Sequence, residues 1–160
     1  MITQVTGKSI IEAGATLCGD LRRKGGGHAI SISIGIFSRI ASNATLIPPS
    51  SVTSILADST VNSFSHSPMR IGEYTVIGAG TFVESTSIGS FVNIGTNCVL
   101  GAFSVVKDCC TILDDAVIPA YTIIPPFSVV GTNGVCNYDA NESMQEQMIC
   151  KSRWYYYIEY

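Results

Sequence analysis

Charge is scarce in this chain, and histidine is scarcer still. Asp, Glu, Lys and Arg make up only 13% of the residues, against roughly a quarter in an ordinary soluble domain. The formal net charge is −3, and Arg22-Arg23-Lys24 is the only basic cluster. Binding to nucleic acid needs Lys and Arg in numbers that displace counterions from phosphates, so no nucleic-acid partner is expected and the triplet reads as a solvated loop. No apolar run approaches the ~20 residues needed to cross a bilayer, so no membrane insertion is expected. Met1 to Val5 shows no charged segment leading into an apolar one, so no secretory signal is read there.

The two histidines are His28, beside Gly25-Gly26-Gly27, and His66, in a Ser/Pro-rich stretch. A catalytic zinc site needs about three converging ligands, and an acyl-transfer site needs a positioned base. Two separated histidines supply neither. The six cysteines include no C-x-x-C pair, which excludes the usual redox and zinc spacings and fits a reducing compartment. No phosphate-binding loop, nucleophile elbow or H-E-x-x-H motif occurs. No cofactor, metal or catalytic residue is expected.

What the chain does have is a period of six. Ile88, Ile94, Leu100, Val106, Ile112, Ile118, Ile124 and Val130 form the longest run, and Ile71, Ile77 and Val83 another. Shorter blocks stand at Val5, Ile11, Leu17 and at Ile34, Ile40, Leu46. Four positions after each aliphatic comes a small residue: Val92, Cys98, Ser104, Cys110, Ala116, Thr122, Ser128, and in the other run Thr75, Thr81 and Ser87. The step from Val83 to Ile88 is one residue short. A six-residue period fits neither a helix nor an isolated strand; it is the signature of hexapeptide repeats in a parallel β-helix. Three repeats close one triangular coil, aliphatics inward and small residues at the narrowing corners, with coils stacked at ~4.8 Å. Cys98 and Cys110 then read as buried small apolar groups.

Two segments break the rhythm, near 22–33 and 50–70. The first reads as a glycine turn leading into a strand through Ile30, Ile32 and Ile34; the second as a loop thrown out from a coil corner. Residues 1–130 are therefore expected to form the β-helix. Residues 131–160 are expected to form a linker, opened by Gly131-Thr132-Asn133-Gly134, and a C-terminal α-helix started by the capping box Ser143-Met144-Gln145-Glu146. That helix, carrying Trp154 and Tyr155, needs a surface to pack on, and the prism flank is the nearest.

The third residue after each aliphatic is read as pointing outward. One face then carries Tyr74, Phe91, Cys109 and Phe127, a second Thr86, Phe103 and Tyr121, and a third Gly80, Asn97 and Asp115. Aromatics favour strand surfaces in any case. The sharper reading is that one aromatic face receives the C-terminal helix and the other a partner protein. The candidate interface is thus Tyr74, Phe91, Phe103, Tyr121, Phe127, Trp154 and Tyr155.

The stretch Ile71-Gly72-Glu73, Ile88-Gly89-Ser90 and Gly95-Thr96-Asn97-Cys98-Val99-Leu100-Gly101 resembles the dynactin subunit 5 family. So does Val106-Lys107-Asp108-Cys109-Cys110-Thr111-Ile112-Leu113-Asp114, followed by Ile118-Pro119 and Ile124-Pro125-Pro126-Phe127. The doubled cysteine and the Pro-Pro-Phe exit are not demanded by hexapeptide geometry. The resemblance is close over residues 70–157 and loose before. It implies an all-β, left-handed parallel β-helix with a C-terminal α-helix, and a non-enzymatic scaffold role in the pointed-end complex of dynactin. The partners it implies are dynactin subunit 6 (a sister β-helix), the pointed-end actin-related protein and other dynactin subunits. Dynein adaptors or cargo are reached indirectly, in the cytoplasm on the microtubule cytoskeleton. The alternative from a different class is a hexapeptide-repeat enzyme, a gamma-type carbonic anhydrase-like or acyltransferase homotrimer.

Overall fold

The computed structural model describes residues 2–19, 30–53, 63–132 and 134–137. The chain winds into a three-sided, left-handed parallel β-helix. Sheet A is ordered β1 (Ile2–Val5), β4 (Ile30–Ile34), β9 (Met69–Ile71), β12 (Ser87–Ile88), β15 (Val105–Val106) and β18 (Ile123–Ile124). Sheet B runs β2 (Ile10–Ile11), β5 (Arg39–Ile40), β10 (Val76–Ile77), β13 (Asn93–Ile94), β16 (Thr111–Ile112), β19 (Ser128–Gly131) and β20 (Gly134–Asn137). Sheet C holds β3 (Thr16–Leu17), β6 (Thr45–Leu46), β11 (Phe82–Val83), β14 (Val99–Leu100) and β17 (Val117–Ile118). Every pairing in these sheets is parallel except β19 with β20. The turn chemistry at Gly131 to Gly134 closes that antiparallel hairpin.

The six-residue rhythm becomes a filled interior. Ile34, Ile40, Leu46, Ile77, Val83, Leu100 and Ile124 are fully buried, in one continuous core along the axis. Most of the small slots are buried too, and several bond across coils. Thr75 Oγ1 donates to the Gly89 carbonyl and Thr81 Oγ1 to Gly95, each at 2.8 Å. Cys98 Sγ lies 3.1 Å from the Leu113 carbonyl and Cys110 Sγ 3.0 Å from that of Pro125. A slot near a corner thus favours a small side chain with a hydrogen to give, which is why Thr, Ser and Cys alternate there. Such bonds leave no buried side-chain N or O without a partner among the described residues, as interior polar groups require.

The short step between Val83 and Ile88 changes the slot assignment. Ser85, not Ser87, takes the buried position, and its hydroxyl meets that of Ser104 at 2.7 Å. Ser87 instead faces outward on β12, beside Arg70 and Val105.

Both interruptions leave from the corner between sheets C and A. The chain departs after Gly19 and returns at Ile30, in the strand expected from the alternating isoleucines. The second excursion contains an antiparallel ribbon, β7 (Ser50–Thr53) with β8 (Ser63–His66). The expected C-terminal helix, with Trp154 and Tyr155, lies outside the described residues, as does His28.

Candidate interaction surface

The aromatic columns lie on corners, not on faces. Phe37, Tyr74, Phe91, Cys109 and Phe127 all have positive φ, from +52° to +60°, at the corner between sheets A and B. Phe103 and Tyr121 do the same at the C–A corner, and Asn43, Asn97 and Asp115 at the B–C corner. This corrects the face assignment made from sequence: the third residue after each aliphatic is the left-handed residue that turns the chain. Thr86 drops out of its column because the shortened turn has no such position. The outward faces are built instead by the residue before each aliphatic, since side chains alternate along a strand.

From Tyr74 onward the corner residues are tied to the coil before them. The N–H of Tyr74 donates to the Ile36 carbonyl at 3.0 Å, that of Phe91 to Glu73 at 2.9 Å, and that of Tyr121 to Ala102 at 2.9 Å. Stacking follows from the coil spacing. Tyr74 lies 5.0 Å from Phe37 and 5.1 Å from Phe91, centroid to centroid, and Phe103 lies 5.3 Å from Tyr121. A left-handed conformation costs an L-residue about 1–2 kcal/mol. Asn and Asp tolerate it through local hydrogen bonds, whereas a bulky ring there is unusual. Stacking returns about 0.5–1.5 kcal/mol per pair, so the rings offset their strain without a clear gain in stability.

The two aromatic corners differ in exposure. The A–B rings are half-buried, whereas Tyr121 is 74% exposed and is flanked on neighbouring strands by Val117 and Ile123, each 65% exposed. Val99, opposite Val117 in sheet C, extends the patch. The outward ladder of sheet C reads Thr16, Thr45, Phe82, Val99, Val117, without a charge. The sequence reading named Phe103 and Tyr121 but missed Val99, Val117 and Ile123. Their signal was a doubled aliphatic, as in Val99-Leu100, Val117-Ile118 and Ile123-Ile124, where only the second residue can point inward.

The side chains that could do chemistry are engaged elsewhere. Burial raises the Cys98, Cys109 and Cys110 thiols above their ordinary range, and nearby aspartates add to this. Such thiols are protonated and poor as nucleophiles or metal ligands. His66 reaches the Pro48 carbonyl through Nδ1 at 3.4 Å, a contact that joins the β7–β8 excursion to the corner it leaves. Glu12 receives the Arg39 Nε–H at 2.7 Å and the Ser42 N–H at 2.9 Å, and the Arg39 bond holds its carboxyl below the ordinary value of 4.5. That pair clamps the first coil to the second. No cluster of three or more His, Cys, Asp or Glu suited to a metal occurs among the described residues. No helix among them is long and apolar enough to cross a membrane.

The sequence profile of dynactin subunit 5 matches residues 4–159. No curated protein sequence matches the chain. Among solved structures, a hexapeptide transferase family protein from Anaplasma phagocytophilum is similar over 96% of this chain and 94% of its own, at 14% identity and a TM-score of 0.46.

Proposed function

The chain belongs to the dynactin subunit 5 family, and from that premise we propose that it is a non-catalytic scaffold subunit of the dynactin pointed-end complex. There it would join dynactin subunit 6 and the pointed-end actin-related protein, in the cytoplasm on the microtubule cytoskeleton. Its part is to help dynein-dynactin engage cargo. The family match over nearly the whole chain carries this reading. Two physical features support it: strained aromatic corners that add little to stability, and an uncharged, exposed patch where sheets C and A meet. Rings held in costly conformations at a surface are a mark of recognition, and aromatics rimmed by aliphatics are what protein interfaces bury. The interface we propose comprises Phe103 and Tyr121, with Tyr74, Phe91 and Phe127 along the second corner and Trp154 and Tyr155 in the C-terminal segment.

A tagged chain should co-purify from its native cells with an actin-related protein and a second β-helical subunit. Phe103→Ser with Tyr121→Ser should abolish that association while leaving the fold intact by circular dichroism. A tagged wild-type chain that brings down neither, from a lysate containing other dynactin subunits, overturns the reading.

A further inference from the structure

Sheet A carries a column of polar side chains on its outer face, and we propose that this column is a binding groove for a phosphate monoester borne on a small apolar body. Strand pairing sets the column: Gln4 lies opposite Ser33, Ser33 opposite Arg70, and Arg70 opposite Ser87. Each precedes an inward aliphatic, so all four side chains point outward, about 4.8 Å apart along the rod. Serine is short, and one on either side of Arg70 leaves the sheet dented there. The dent gains a wall where the two excursions rejoin the rod. β4 begins at Ile30, ahead of Ile32, which pairs with Met69, and β9 begins directly after Pro68. The result is a groove of about 630 Å³ whose lining includes the four polar residues, with Ile30 and Pro68 at its side. That volume is within the range of small-ligand sites.

The electrostatics of the groove select the head of the ligand. Arg70 is exposed, and no carboxylate stands among the lining residues. Arg39, on sheet B, is locked to Glu12. By contrast, Arg70, Ser33, Ser87 and Gln4 have no side-chain hydrogen bond or ion pair among the described residues. A guanidinium presents a planar fork of donors to two oxygens at once. A carboxylate has only those two oxygens, and the fork satisfies both. A phosphate monoester keeps a third, and the hydroxyls of Ser33 and Ser87 flank the fork to bond it. The donor count therefore favours phosphate over carboxylate. The wall favours an apolar body over free phosphate, since Ile30, 42% exposed, and Pro68 give such a body a surface to cover. The net charge of −3 opposes indiscriminate uptake of anions, so retention of a dianion reports the groove itself.

The test titrates hexyl phosphate, inorganic phosphate and hexanoate into the full chain by calorimetry at about pH 7.5, where the monoester is mostly a dianion. Hexyl phosphate should bind saturably and more tightly than the other two. Arg70→Gln, a change at an exposed site, should leave the circular dichroism unchanged and weaken hexyl phosphate binding by about tenfold or more, the loss of one charge-assisted contact. Arg70→Lys, which keeps the charge without the fork, should recover only part of that binding. Absence of saturable binding by hexyl phosphate overturns the proposal, as does binding that Arg70→Gln leaves intact. Hexanoate binding as tightly removes the case for phosphate, and inorganic phosphate binding as tightly removes the apolar body; either result overturns the assigned ligand class. If Arg70→Gln disturbs folding, Ser33→Ala with Ser87→Ala takes its place, and undiminished binding there also counts against the groove. None of these outcomes bears on the scaffold reading, which co-purification scores separately.

Discussion

The A–B corner and the C–A corner are cut from the same repeat, yet one is regular and the other takes both excursions and the shortened turn. At the A–B corner five successive coils place a left-handed residue at the same point, four of them aromatic and one Cys109. At the C–A corner the chain leaves twice, then skips a residue at Ser85, and only in the last two turns becomes regular, with Phe103 and Tyr121. The strands between are indifferent to this, since their register is set by ladder pairing with neighbouring coils. A corner can therefore lengthen, shorten or change chemistry while the core stays in phase. The regular corner spends its aromatics half-buried in a stack, whereas the irregular one leaves Tyr121 exposed beside Val117 and Ile123.

Substitutions at six positions sharpen that contrast between tolerant corners and an intolerant interior. Ile94→Asp or Ile112→Asp, each at a site 1% exposed, should cost several kcal/mol, because a lone carboxylate has no water or partner inside the prism. Chemical denaturation should show the rod largely unfolded. Gly95→Ala comes next: an added methyl would sit 2.6 Å from the Asp114 backbone nitrogen, so the coils must part locally. The expected loss is about 1–3 kcal/mol, read as a lower midpoint with an unchanged slope.

Glu12→Gln tests the clamp between the first two coils. Its carboxyl is held below the ordinary value by Arg39, so the contribution is present above that value and lost as pH falls through the lowered one. The melting temperatures of wild type and variant should differ at neutral pH and converge as the solution is acidified below pH 4.5. A constant gap across that range would assign the effect to packing instead. The smallest change is Asp115→Gly, at an exposed corner with φ of +58°. Relief of backbone strain is partly cancelled by the freedom glycine gains when unfolded, so a stabilisation below about 1 kcal/mol is expected. The same substitution at Phe91 should instead destabilise, because the ring stacked on Tyr74 is lost with the strain.

The interior was legible in the sequence because inward positions tolerate only aliphatic or small side chains. The run from Ile88 to Val130 could therefore be placed residue by residue, down to Cys98 and Cys110 in their slots. The corners were less legible. Counting three positions on from an aliphatic found the right columns but gave them to faces, since a period shows recurrence and not backbone hand. Phe103 and Tyr121 were named for being aromatic, whereas Val99, Val117 and Ile123 passed as further aliphatics until strand alternation showed which of each pair faces out. The short turn at 84–86 was visible as a missing residue, but its remedy, Ser85 moving into the slot against Ser104, depends on contacts between coils.

The buried thiols give the rod a gauge of its own breathing. Cys98 lies in the coil of β13 and β14, and Cys109 and Cys110 one coil beyond, all shielded from solvent, while Cys18 in the first coil is partly open. An alkylating reagent reaches a shielded sulfur only when its turn of the spiral loosens. The order in which these sulfurs are modified therefore reports from which end, and how far, the spiral unwinds before it comes apart.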